Sequence, residues 1–309
     1  MLDIDFSELE EKITCFFEEP TKDSARIFHG RGGCFEQLEW LTVDWFNPVV
    51  WVVIYKPIEA EQLLALKSLL VELGESHPSI ENILIQQRLR PDPVIESVYG
   101  DAPNSTNAIE SGCQFKLNLT KNQNTGFFLD TQPARVWVKE NSANKRVLNL
   151  FAYTCAFSVM ALKGDALTVV NMDMMKSAIA TGKENHALNG VLSEKSVFYS
   201  HEIFRSLGKV KRHAPYDLVI VDPPSFQKGA FDVKKDYTKL LKKLTPLLSD
   251  DARLLLCLNA PYIDCASFKM LVSESLPGCK FIDRIQPRKD YCEVDIEAGV
   301  KMLIFEKSR

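Results

Sequence analysis

No run of apolar residues approaches the roughly 20 needed to cross a bilayer, so the sequence gives no transmembrane helix. The first residues, MLDIDFSELEEK, lack the basic-then-apolar order of a secretory signal, and a cytoplasmic protein is expected. Pairing is missing among the eight cysteines: there is no C-x-x-C and no histidine at ligand spacing, which argues against both a zinc site and a disulfide framework. The five histidines are equally scattered, and no metal is expected. Internal repeats and low-complexity tracts are absent, which excludes a solenoid. Nor is there an excess of positive charge. With 37 Lys and Arg against 41 Asp and Glu, a net charge of −4 excludes a protein coated all over for nucleic acid and leaves only local basic patches. Three are candidates: Lys209 with Lys211 and Arg212, the lysines between Lys228 and Lys243, and Arg284 with Arg288 and Lys289.

What is there is an ordinary globular composition, 46% hydrophobic and 25% charged over 309 residues, enough for two domains. The turn-rich stretch Pro91–Gly112 suggests the break, with an N-terminal α+β domain at 1–107 and a larger domain at 108–309. In the first, 49–55 (VVWVVIY) reads as a buried strand, 60–73 as an amphipathic helix carrying Leu63, Leu66 and Leu70, and 80–86 as another strand. The run from His29 to Gly33 (HGRGG) could approach a phosphate but reads more simply as a plain turn.

From Lys145 onward β-type and helix-type runs alternate, which predicts a parallel sheet covered by helices on both faces. Strands are expected at 146–151, 167–172, 196–199, 216–221, 253–258, 280–285 and 300–305. Helices are expected near 158–163, 176–188, 203–209 and 237–248. The last two strands, joined by a turn-rich connection, suit an antiparallel hairpin at the sheet edge. The fold class predicted is α/β, a Rossmann-like sheet of seven strands with an N-terminal α+β domain.

In such a sheet ligands sit beyond the carboxyl ends of the strands, so the residues after each strand are the candidates. After the first comes a tight loop from Asn149 to Phe157, including Phe151, Tyr153 and Thr154, with no glycine in it. That lack weighs against a dinucleotide-dependent oxidoreductase, which needs G-x-G-x-x-G there. About twenty residues on, Asp173 stands where a carboxylate accepts from ribose hydroxyls, with Met174 beside it; the same Asp would equally cap a helix. After the third strand Glu202 could accept from an adenine amino group with Ile203 as an apolar wall, or serve as another cap. After the fourth comes Asp222-Pro-Pro-Ser-Phe226. Pro223 and Pro224 stiffen this loop and remove two N–H donors, leaving acceptors for an amino group, while Phe226 offers a stacking surface.

These segments carry a resemblance. From about Ala108 to the C-terminus the sequence resembles the bacterial large-subunit rRNA methyltransferases that act on cytosine C5 or guanine N7. The matching segments are Asn124-Thr-Gly-Phe-Phe-Leu-Asp130, Val147-Leu-Asn-Leu-Phe-Ala-Tyr-Thr154, Asn185-His-Ala-Leu-Asn-Gly190 and Asp222-Pro-Pro-Ser-Phe226. The resemblance implies a class I methyltransferase fold, S-adenosylmethionine as cofactor and RNA as partner. It adds Thr125, Phe128 and Asp130 to the cofactor site; read from the residues alone, Asp130 ahead of Pro133 would also cap a helix. The sequence departs from that family in three places. Cys155 replaces the usual glycine in the first loop and should crowd the backbone near the cofactor. The N-terminal region does not match the family's small RNA-binding domain. Where relatives that methylate C5 carry a catalytic cysteine after the fifth strand, this sequence has Cys257-Leu-Asn-Ala-Pro261, which places Ala260 at that position and leaves Cys257 as a core residue.

Transfer to a base nitrogen is therefore expected rather than to C5. Asp222 and Pro223 would hold the nucleophile's amino protons, Asn259 would add a hydrogen bond, and Pro224 and Phe226 would shape the acceptor site. Two other readings remain: a non-catalytic RNA-binding or scaffold protein that keeps the fold, and a methyltransferase for proteins or small molecules.

Overall fold

A computed structural model of the chain describes residues 5–89, 93–103, 105–121, 123–191, 193–227 and 230–308. Pro91, Asp92 and Asn104 of the expected break, and Lys228 of the lysine run, lie outside the described residues. The chain forms two compact units, one of residues 1–129 with 289–294 and the other of 130–288 with 295–309.

The first unit contains α1 (Ser7–Glu18), β1 (Ala25–His29), β2 (Leu41–Phe46), β3 (Val49–Ile54), α2 (Ala60–Ser76), β4 (Asn82–Gln87), β5 (Val94–Tyr99), β6 (Thr106–Glu110) and β7 (Cys113–Leu117). β1 to β5 form one sheet in chain order. Only β3 and β4 run parallel, because α2 carries the chain back between them, and every residue of β3 is buried. α1 contributes Leu9, Ile13 and Phe17, spaced by one helical turn, to the same core as Leu66 and Leu70 of α2. Each such side chain contributes roughly 1.5–3 kcal/mol by leaving water.

The turn-rich stretch is not the plain linker expected. β5 joins the five-stranded sheet as its edge, and β6 pairs with β7 as a hairpin. Ser111 and Gly112 have φ of +51° and +76°, the double left-handed turn that a two-residue hairpin loop requires. The Ser-Gly pair was the signal; its polar surroundings hid it.

The second unit runs α3 (Gln132–Glu140), β8 (Arg146–Leu150), α4 (Ala156–Lys163), β9 (Thr168–Asp173), α5 (Lys176–Leu188), β10 (Ser196–Ser200), α6 (Ile203–Lys211), β11 (Tyr216–Val221), β12 (Phe226–Gln227), β13 (Phe231–Asp232), α7 (Val233–Leu244), β14 (Leu248–Leu258), α8 (Cys265–Ser275), β15 (Cys279–Ile285) and β16 (Lys301–Lys307). Its seven-stranded sheet has the order β10-β9-β8-β11-β14-β16-β15. The first five are parallel, and β16 lies antiparallel between β14 and the edge strand β15, as the sequence predicts.

Two boundaries differ from expectation. α7 starts at Val233 rather than Tyr237 because the Asp232 side chain accepts the Lys234 N–H at 3.0 Å and caps it there. β14 begins at Leu248, ahead of Arg253, and pairs with Tyr216 of β11. α8 was not anticipated; its signal was Asp264, which accepts from the Ser267 N–H at 2.6 Å. α3 begins where Asp130 ahead of Pro133 suggested a helix, but Thr131 rather than Asp130 stands at its N-cap position. Among the described residues no helix is long and apolar enough to cross a membrane.

Candidate cofactor and acceptor site

After laying β9 and β10 to one side of β8, the chain returns to place β11 on its other side. Loops then diverge above the carboxyl ends of β8 and β11 and leave a crevice. The loop after β8 is bent sharply. Phe151, Tyr153 and Cys155 have φ of +56°, +47° and +61°, left-handed values that cost a non-glycine residue about 1–2 kcal/mol each. Four hydrogen bonds hold it. The Ala152 N–H donates to Met172 O at 3.1 Å and the Cys155 N–H to Ala152 O at 2.7 Å. The Tyr153 N–H donates to Asp173 Oδ2 at 2.9 Å, and Asn185 Nδ2 donates to Thr154 O at 2.9 Å. Asn185, from one of the segments that carries the resemblance, is thus a buried support for this loop. Strain retained at such expense is characteristic of ligand sites.

Cys155 does not crowd the crevice. Its side chain is buried with Ala152, Ile179 and Phe198, and a Cβ on Gly182 of α5 would stand 2.5 Å from its Sγ. The thiol is accommodated because its neighbour has no side chain.

A shallow hollow opens beside the loop. The structure brings five of the expected cofactor residues to its wall: Phe151, Asp173, Met174, Glu202 and Ile203. Phe204 of α6, Gln227, Ala230 and Phe231 complete the wall and were missed; for the last three, β12 and β13 are too short to show a period in sequence. The Phe204 and Phe231 rings lie nearly parallel, 12° apart with centroids separated by 6.4 Å, and Phe151 meets Phe231 edge-on at 4.9 Å.

Two carboxylates on that wall also hold backbone. Asp173 Oδ1 accepts from the Met175 N–H at 2.8 Å while Oδ2 accepts from Tyr153, so each oxygen keeps one lone pair for a ribose hydroxyl. Burial raises the Asp173 pKa, opposed by these two N–H groups. Glu202 caps α6 through Phe204 N at 2.9 Å and Arg205 N at 2.8 Å, so the capping alternative is realised in a residue that also faces the hollow.

The remaining candidates lie elsewhere. Asn149 is buried inside the sheet, donating to Asn171 Oδ1 at 3.0 Å, and ties β8 to β9 rather than facing the hollow. Thr154 is buried and Tyr153 is half-buried in the strained loop. Thr125 and Phe128 belong to the first unit, where Thr125 Oγ1 donates to Phe127 O at 3.0 Å and Phe128 is exposed. Asp130 opens the second unit.

At the tip of β11, Asp222 has its pKa pushed up to about 7, chiefly by burial and then by the Asp130 carboxylate, against the pull of the Arg135 guanidinium. Pro223 is buried, Pro224 exposed. Ser225 Oγ donates to the backbone oxygen of Asn259, which fastens the loop after β11 to the loop after β14. Phe226 is 67% exposed beyond it and Asn259 is exposed too. Sequence reasoning missed Tyr262, 57% exposed on the neighbouring loop, with Lys234 Nζ 4.2 Å from its ring centroid. Ala260 is buried, and its oxygen accepts from the buried Lys301 Nζ at 3.0 Å. Cys257 is fully buried within β14, and burial holds its thiol well above its ordinary pKa, so it is a core residue and no nucleophile.

The site thus pairs a hollow walled by carboxylates and aromatic rings with an acidic, aromatic acceptor edge. Comparison with known proteins adds the following. The family model of S-adenosylmethionine-dependent methyltransferases matches residues 25–306. A curated relative, ribosomal RNA large subunit methyltransferase K/L of Shewanella baltica strain OS155, is 39% identical over 155 residues, 48% of this chain and 22% of the relative. The protein of that name from Hahella chejuensis is 28% identical over 230 residues, 71% of this chain and 32% of its own. The chain therefore spans between about a fifth and a third of the length of these relatives. Among solved structures, one described as a SAM-dependent methyltransferase from Streptococcus mutans superposes with a TM-score of 0.84 at 23% identity, covering 99% of this chain and 82% of that one. The complex of aTrm5 with tRNALeu gives 0.61 at 15% identity, covering 86% and 72%. At these identities the likeness is one of fold.

Proposed function

This chain belongs to the S-adenosylmethionine-dependent methyltransferase family, and from that premise we propose that it methylates a base nitrogen of RNA, with ribosomal RNA as the substrate and the cytoplasm as its place. The observation that carries this reading is the juxtaposition of the hollow at the β8–β10 tips with Asp222 and Phe226 at the tip of β11. When bound, the cofactor supplies a methyl group already activated on a sulfonium. Asp173 would accept from its ribose, and Phe151, Ile203, Phe204 and Phe231 would enclose its purine, with Met174 and Glu202 completing that side. Asp130 would face the methionine part, and Tyr153 and Thr154 keep the loop beneath it.

The chain's own task is to hold the acceptor in line and exclude water, which can supply about 7–11 kcal/mol of barrier reduction. Asp222 and the Pro223 carbonyl would accept the acceptor's amino protons. Held near neutrality, Asp222 would also take the proton that the nitrogen sheds once methylated. Asn259 would add a further hydrogen bond, and Phe226 would stack on an extruded base. The absence of any thiolate at the Ala260 position, together with the inert Cys257, favours nitrogen over cytosine C5. RNA is favoured by the naming of the relatives, by the exposed aromatic pair Phe226 and Tyr262, and by the exposed lysines of α7, of which Lys234 reaches the Tyr262 ring.

The test is incubation with labelled cofactor and ribosomal RNA from cells lacking the protein, followed by mass spectrometry of the nucleosides. An N-methylated base is expected. Label in protein, or none in RNA while the cofactor binds, would overturn the substrate assignment.

A further inference from the structure

The first unit has chemistry of its own in the HGRGG turn. Residues 30–32 form a tight 3-10 turn closed by the Gly33 N–H on Gly30 O at 2.9 Å. Glycine is required at both ends of it: a Cβ on Gly30 would fall 1.9 Å from Leu38 O, and one on Gly32 would fall 1.7 Å from Cys292 O. The turn is thus pressed against backbone on two sides and holds Arg31 outward at a fixed place. There the Arg31 guanidinium carbon lies 4.4 Å from the centroid of the Tyr55 ring, and that of Arg88 lies 5.4 Å from the same centroid.

Two guanidiniums sharing one ring need a reason, because like charges repel. The carboxylates nearby are committed elsewhere. Asp44 takes Arg26 through both oxygens, Asp290 accepts the Arg26 N–H at 3.0 Å, and Glu293 stands 3.3 Å from His29. Among the described residues, neither Arg31 nor Arg88 has a carboxylate within 4.0 Å. Among the described residues Arg88 spends only its Nε, on Gln86 Oε1 at 2.5 Å, and its two terminal nitrogens keep their donors. Burial lowers the Arg88 pKa; Tyr55 and Asp44 oppose the fall, and the charges of Arg31 and Arg26 add to it.

We propose that Arg31, Tyr55 and Arg88 form a phosphate-binding site on the first unit, which receives a backbone phosphate of the RNA substrate. Paired planar guanidiniums match phosphate oxygens in geometry and in charge, and the tyrosine ring keeps both from swinging away. The choice of RNA as the phosphate's source rests on the function proposed above, but the site stands on the first unit's geometry.

The experiment uses the full chain. Binding of a fluorescently labelled single-stranded RNA is followed by anisotropy across a salt series, and binding of inorganic phosphate by calorimetry, for the wild type, Arg31→Gln, Arg88→Lys and the double variant Arg31→Gln/Arg88→Gln. Circular dichroism and calorimetric titration of S-adenosylmethionine check that each variant is folded and binds cofactor. The double variant is expected to lose at least about tenfold in RNA affinity at 0.1 M salt. Its slope of log affinity on log salt should flatten by about 0.7, the value for one lost phosphate contact. Arg31→Gln, at an exposed position, should give about half that change in slope, and Arg88→Lys little. Weakened binding of phosphate with unaltered RNA binding would support the phosphate site and overturn its RNA source. Unaltered binding of both would overturn the site. Methyl incorporation is measured separately, so failure of the enzymatic reading leaves these binding outcomes interpretable.

Discussion

Cys155 and Gly182 are matched across the α4–α5 contact: the thiol occupies the space in which any side chain at 182 would place its first carbon, 2.5 Å from Sγ and 3.0 Å from the cysteine Cβ. The left-handed backbone at Cys155, which glycine adopts without cost, is held here at φ +61° with the side chain turned into α5. Read from sequence, a cysteine in this loop should obstruct the cofactor. The fit to Gly182 removes the obstruction, and the pair should vary together.

Gly182→Ala should therefore cost about 1–3 kcal/mol by overpacking, despite the better helix propensity of alanine. In combination with Cys155→Gly most of that loss should return, because the added methyl then fills vacated space. Urea denaturation of the two single variants and the double gives the coupling, expected at 1 kcal/mol or more in magnitude. Additive effects would show that the two residues do not share this space.

The alternation of strands with α4 to α7 in the second unit was legible because β8, β11 and the end of β14 are short apolar runs separated by helix-type runs. What stayed hidden was set by contacts between distant segments. Glu202 could be read as adenine ligand or cap, and only the two N–H groups at 2.9 and 2.8 Å decide that it caps α6 while facing the hollow. Asn149 looked like a loop residue, but its partner Asn171 on the adjoining strand draws it into the sheet. Phe231 and Tyr262 carried no periodic signal, since one lies on a two-residue strand and the other on a loop. β5 and the β6–β7 hairpin were obscured because polar residues on edge strands resemble those of linkers.

Asp173 serves two purposes, and its isostere separates them. In Asp173→Asn the amide can accept only one of the two N–H groups from Tyr153 and Met175, and its NH2 turns toward the other. One partly buried N–H is left unsatisfied, at up to about 1 kcal/mol, beside a loop that already carries three left-handed residues. Thermal unfolding should fall, and affinity for S-adenosylmethionine should drop by about tenfold or more in calorimetry. Cofactor affinity equal to wild type would remove Asp173 from the site.

The raised pKa of Asp222 predicts a pH profile of definite sign. Its carboxyl titrates at an ordinary 3.8 in the unfolded chain and at about 7 when folded, so between those values the folded state holds more protons. Stability contributed by this group is full below the lower value, declines as pH rises to about 7, and is constant beyond. Asp222→Asn should gain stability over wild type across that interval and show no gain near pH 3. For activity the ionised form is needed, so kcat/KM should rise with pH about a midpoint near 7, and Asp222→Ala should lose about 100-fold or more in turnover with cofactor affinity nearly intact. Unchanged turnover in that variant would remove Asp222 from the transfer step.

Phe226 and Tyr262 are large aromatic side chains exposed on the two loops that Ser225 and Asn259 fasten together, and exposure of this kind costs a protein unless a ligand covers it. If a base stacks there, Phe226→Ala should remove about 1–3 kcal/mol of acceptor binding, or a rise of about 5- to 150-fold in KM for RNA. Cofactor affinity should not move, since Phe226 does not line the hollow. Tyr262→Ala should act in the same direction, and more strongly than Tyr262→Phe, because the ring and the Lys234 ammonium resting on it carry the interaction rather than the hydroxyl. A fall in kcat at constant KM would instead place these rings against the transition state, and a loss of melting temperature without either kinetic change would leave them only a structural part.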